Sequence, residues 1–87
     1  MTIIVFNLND DLLTLDEKYY HLKNHIMGKC SGRSVHDTYQ HVGNIYQCIH
    51  LLKEYYLEQD EKQDILDKLN NSIKYLEVNY DVSIEII

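Results

Sequence analysis

His21 and His25 stand four residues apart, a spacing that sets two imidazoles on one face of a helix, as a zinc site requires. The stretch between them reads Leu22-Lys23-Asn24, so the acid that completes the zinc-protease pattern is missing. Two more ligands would be needed, drawn from Cys30, His36 and His41, and those spacings match no common zinc module. The pair is therefore read as two histidines on the polar back of a helix, with no metal and no cofactor expected.

The thiols are Cys30 and Cys48. Cys30 has Lys29 beside it and Arg33 nearby, cations that lower a thiol pKa and favour the thiolate. A cysteine nucleophile also needs a base and an oxyanion hole, and no loop that could form one is apparent. Cys48 falls on the flank of a helical stretch and reads as a small packed side chain. Carboxylates are plentiful (Asp10-Asp11, Asp16-Glu17, Asp60-Glu61, Asp64, Asp67), yet general acid–base work needs one carboxyl in an apolar pocket. These acids fall on expected polar faces and helix caps. The string from Asp60 to Asp64 lacks the glycine of a calcium loop, and there is no glycine-rich phosphate cradle. No enzyme is expected.

The tyrosines carry more. Eight of the 87 residues are tyrosine, against no tryptophan and no proline. Tyr19, Tyr39, Tyr46, Tyr56 and Tyr80 coincide with apolar stripes and are expected in the core. Tyr20, Tyr55 and Tyr75 do not. At about 100° per residue Tyr55 and Leu51 lie opposite the middle of their helix's stripe. With Glu54, Glu58, Asp60 and Glu61 around them, and Tyr20 on the preceding helix, they have the composition of a protein-binding hot spot. The competing reading is a central second helix, packed on both sides, which would bury Leu51 and Tyr55.

The elements that must hold these residues follow from periodicity. Thr2–Leu8 is β-branched and aromatic and reads as a strand, broken by Asn9-Asp10-Asp11. Leu12, Leu15, Tyr19, Leu22, Ile26 and Cys30 step by three or four and predict a first helix. Asp10 or Asp11 serves as its cap, and Asp16 and Glu17 complement its positive end. Gly28 and Gly32 close it. A second helix starts at Ser34, with Asp37 as a capping-box partner, and carries Val35, Tyr39, Val42, Tyr46 and Ile49, a stripe widened by Ile45, Leu52 and Tyr56, to a fade near Leu57–Gln59. Asp60 and Gln63 form another capping-box pattern before Leu66, Leu69, Ile73, Leu76 and Tyr80. Val82, Ile84 and Ile86 alternate with Ser83 and Glu85 as a terminal strand.

The expected fold is thus mostly α (α+β), a three-helix bundle with short N- and C-terminal strands in the order β-α-α-α-β, as a single domain over residues 1–87. Alternating element directions would make the end strands parallel neighbours. Two strands make a poor sheet unless helices cover them or the edge pairs with another chain.

Composition bounds the function. Fourteen acids against eight bases give a net charge of −6, which repels phosphates and argues against direct nucleic-acid binding. The same charge speeds encounter with a basic partner. No apolar run reaches the roughly 18 residues of a membrane span, and no export signal precedes Asp10, so a cytoplasmic protein with reduced thiols is expected. No family signature is present. By size, charge and aromatic content the expectation is a small acidic protein that inhibits or modulates a larger, basic, nucleic-acid-acting protein, as phage-type inhibitors and toxin-immunity proteins do. The alternative is a structural or assembly protein that works as a homo-oligomer such as a homodimer.

Overall fold

The computed structural model describes residues 1–29 and 35–87. Cys30, Arg33 and Ser34, and with them the loop thiol and the Ser34–Asp37 cap, lie outside the described residues. The element order is β1 (Thr2–Phe6), α1 (Leu12–Met27), α2 (Val35–Glu54), α3 (Gln59–Asn79) and β2 (Val82–Ile86), as the periodicity implies.

The strands are parallel neighbours, with Thr2 opposite Val82 and Phe6 opposite Ile86. Side chains alternate across a strand, so Ile4, Phe6, Val82 and Ile84 all point at the helices and are buried, Phe6 completely. One apolar core joins these four to Leu15, Leu22 and Ile26 of α1, to Val42, Ile45, Cys48 and Ile49 of α2, and to Leu69, Ile73 and Leu76 of α3. Each fully buried aliphatic or aromatic side chain of this kind contributes about 1.5–3 kcal/mol. The other face of the sheet is uncovered. Ile3 there is 66% exposed, and Glu85 and Ile87 are exposed beside it.

The helix ends show where local chemistry decides. Asp11 is the N-cap of α1, and its carboxylate accepts the Thr14 backbone N–H at 2.8 Å. The Thr14 side chain first, and then this backbone bond, hold the Asp11 carboxyl below the usual carboxylate range. Asp16 and Glu17, expected to serve the helix dipole, lie beyond a first turn that contains no acid. The capping box expected at Asp60 and Gln63 does not form. The N-cap of α3 is Glu58, without a side-chain bond, and Gln63 Nε2 donates to Asp67 instead. Asp60 and Glu61 occupy the first turn, where negative charge complements the helix dipole.

Polar groups fix α2 against α3. The Ser72 hydroxyl is bonded to His41 Nδ1 at 3.0 Å and accepts from Asn44 Nδ2 at 3.2 Å, while the His41 ring stacks on Tyr75 at 4.2 Å. Buried Thr38 bonds the Tyr80 hydroxyl at 2.7 Å. A Cβ built at Gly43 meets no atom within 4 Å, so this glycine does not mark a close helix approach.

Candidate protein-binding surface

Helix α1 has two polar flanks either side of the Leu15–Leu22–Ile26 ridge. At about 100° per residue, Asp16, Tyr19, Tyr20 and Lys23 fall on one flank and Lys18, His21 and His25 on the other. The first flank meets α2 and forms an aromatic row. Tyr19 lies edge-on to Tyr20 with ring centroids 5.5 Å apart and packs on Tyr46 at 4.6 Å. Tyr46 in turn packs on His50 at 4.3 Å.

Carboxylates close this row. His50 Nε2–H donates to Asp16 Oδ1 at 2.9 Å, and Nδ1 faces Glu54 Oε2 at 3.6 Å. The row is half-buried at Tyr19, Tyr46 and His50 and open at its margins, where Tyr20 is 56% and Tyr39 52% exposed. The proximity acts on the tyrosine hydroxyls. The Asp16 charge, then burial, pushes the Tyr46 hydroxyl above the ordinary tyrosine range. Burial, then the neighbouring tyrosines, does the same for Tyr19.

The seven residues expected at a binding surface divide between two places. Tyr20 and Glu54 border the aromatic row. Leu51, Tyr55, Glu58, Asp60 and Glu61 lie around the α2–α3 connection. Tyr55 is exposed, as a hot-spot residue must be, but α2 ends at Glu54, so Tyr55 follows the helix and is not displayed on its face. Leu51 is half-buried and supplies less surface than expected. A shallow groove of about 230 Å³ at this connection is lined by Leu52, Tyr55, Tyr56, Leu57 and Lys62.

Two core assignments are overturned. Tyr56 is 92% exposed because it too lies past α2. Tyr39 is exposed because the buried stripe of α2 runs through Thr38, Val42, Ile45, Cys48 and Ile49. Tyr39 and Tyr46 sit on its flank, where an amphipathic phenol packs its ring and keeps its hydroxyl wet. The contribution of Asp16, Tyr39, Tyr46 and His50 to the surface was missed. The signal available for it was the i, i+4 pair Tyr46–His50, flanked by Glu54 one turn further on.

Among the described residues His25, His41 and Cys48 have structural roles. His25 is no ligand partner for His21: its Nε2–H donates to the Asp81 carbonyl at 3.2 Å and its Nδ1 bonds the Thr2 hydroxyl at 3.4 Å, tying α1 to the start of both strands. His41 is taken by Ser72. Among the described residues no three His, Cys, Asp or Glu side chains converge as metal ligands. Burial pushes the Cys48 thiol up, away from reactivity. No helix among the described residues is long and apolar enough to cross a membrane. Comparison with protein-family models, curated proteins and solved structures finds no match.

Proposed function

We propose that this chain is a small acidic protein-binding module that inhibits or modulates a larger, basic, nucleic-acid-acting protein and catalyses nothing itself. One observation carries this reading. The Tyr19–Tyr46–His50 row is flanked by exposed Tyr20 and Tyr39 and bordered by Asp16 and Glu54. Tyrosine gives large contact area at small entropic cost, and a half-buried ring row is already ordered before binding. The net charge of −6 draws a basic surface toward it and sets its orientation. Tyr55, Glu58, Asp60 and Glu61 extend the acidic and aromatic character at the α2–α3 connection.

Capture of a partner from host extract, followed by titration of the purified pair, tests this. Tyr20→Ala and Tyr39→Ala leave helical circular dichroism unchanged, since both side chains are exposed, and together weaken the complex by about 10-fold or more. Binding declines as salt screens the charges. A complex that tolerates both substitutions and high salt would place recognition elsewhere.

The uncovered outer face of the sheet, with Ile3 and Ile87 exposed, favours a second reading as a homo-oligomer. Sedimentation equilibrium decides it, because a monomer at every concentration removes that reading.

A further inference from the structure

The sheet's two outer edges are not alike. Thr2 N–H donates to the Asp81 carbonyl, Ile87 N–H donates to the Phe6 carbonyl, and Leu8 N–H donates to the Ile87 carbonyl. In a parallel ladder this phase turns the even-numbered backbone groups of β1 toward β2 and the odd-numbered groups outward. The outward groups of β2 are guarded at two N–H positions, Ile84 N–H donating to the Glu77 carboxylate at 2.9 Å and Val82 N–H to the Tyr80 carbonyl. Those of β1 are guarded once. Lys18 Nζ donates to the Val5 carbonyl at 2.8 Å. Ile3 N–H, Ile3 C=O and Val5 N–H bond to nothing else among the described residues.

Beside this open edge lies a groove of about 270 Å³ between β1 and α1, lined by Ile3, Ile4, Val5, Lys18 and His21. Its floor is apolar, and its rim is the second flank of α1. The Lys18 ammonium is held at the edge by the Val5 carbonyl, and an Asp10 carboxylate oxygen is 4.0 Å away. On a chain of net charge −6, this rim presents a fixed cation and an imidazole to the groove.

We infer that the β1 edge is a strand-addition site for an extended segment of a partner protein that carries an acidic side chain. The segment's backbone pairs with Ile3 N–H, Ile3 C=O and Val5 N–H. One side chain enters the groove over Ile3 and Ile4, and a carboxylate meets Lys18 and His21. Main-chain pairing supplies affinity in such complexes and the side-chain pocket supplies selectivity. Charge complementarity selects the occupant. A basic segment would meet Lys18 head-on, and a second copy pairing through β1 brings no acid, because Thr2–Phe6 contains none. This site is separate from the aromatic row on the first flank and stands or falls independently of it.

The test uses the full chain and a synthetic peptide capped at both ends, Val-Thr-Glu-Val-Thr-Val, followed by amide resonances. Millimolar peptide should shift Ile3 and Val5 and slow their hydrogen exchange. Replacing the peptide's glutamate by glutamine, or Lys18→Gln in the protein, should weaken binding roughly two- to fivefold. Ile3→Pro removes an outward N–H without touching a ladder bond and should abolish binding; edge strands tolerate proline. Peptide shifts that map away from β1, equal binding of the glutamine peptide, or a β1 edge already protected in a sedimenting dimer each overturn the proposal. These readings need only the wild-type chain, so they hold whatever Ile3→Pro does to folding.

Discussion

At the scale of single residues, the hydroxyls of Tyr19 and Tyr46 show how the aromatic row is held. Burial acts first on Tyr19 and the Asp16 charge first on Tyr46, and both hydroxyls are pushed above the ordinary tyrosine value. A group that keeps its proton longer when folded contributes stability that is whole below its unfolded pKa, about 10 for tyrosine. That contribution is lost as pH rises through the folded value. Urea melts carried from neutral to strongly alkaline pH should therefore show stability falling above about pH 10. The fall should be shallower in Tyr19→Phe and Tyr46→Phe, which have no hydroxyl to ionise. Identical alkaline slopes in wild type and both variants would mean that the row is not packed as described. Histidine placement makes a related point. His25, His41 and His50 each bond to a distant element, so His25 and His41, which looked like ligands in the sequence, act with His50 as ties between elements.

At the scale of elements, the period of three to four residues in Leu15, Leu22 and Ile26, and in Leu69, Ile73 and Leu76, made α1 and α3 legible, and alternation made β2 legible. The phase of α2 was not. Val35, Tyr39, Val42, Tyr46 and Ile49 fit a helical stripe as well as the true one does. What separates the two is that Thr38 and Cys48, small side chains, take the buried seam. Hydrophobicity alone ranks tyrosine above threonine for burial, but the buried Thr38 hydroxyl has a hydrogen-bond partner in the half-buried Tyr80 hydroxyl. The end of α2 was illegible for another reason. The chain turns between Glu54 and Gln59 without glycine or proline, so no residue type announced it. The aromatic row depends on that phase. It is assembled from α1 and α2, and only the correct rotation of α2 brings Tyr46 and His50 to Tyr19 and Asp16.

The same packing yields an element-scale prediction. Ser72 is buried on α3 and serves both His41 and Asn44 of α2. Ser72→Ala leaves two half-buried polar groups without that partner, which costs about 1 kcal/mol or more. The urea midpoint should fall with no change in its slope on denaturant, the mark of lost stability with the same surface exposed on unfolding. A midpoint equal to wild type would show that the hydroxyl contributes nothing to the α2–α3 contact.

At the scale of the whole molecule, charge and shape divide the surface along one helix. The flank of α1 facing α2 bears Asp16 and the tyrosines; the flank facing β1 bears Lys18, His21 and His25. Between them the Leu15–Leu22–Ile26 ridge is buried and closes the core. The excess of acid over base was readable from composition, but its division was not, because a net charge carries no direction. Two surfaces of opposite character need not compete, and substitutions with no shared contact combine additively. Tyr20 and Lys18 point about 160° apart around the helix, as residues two positions apart do. Tyr20→Ala should weaken partner binding and leave acidic-peptide binding unchanged, with Lys18→Gln doing the reverse. In the double variant each affinity should match its single variant within about a factor of two. Isothermal titration of the four proteins against the partner and against the peptide measures this. A deviation well beyond that factor would mean that α1 shifts as a rigid unit when either flank is engaged, coupling the two surfaces through the core ridge they share.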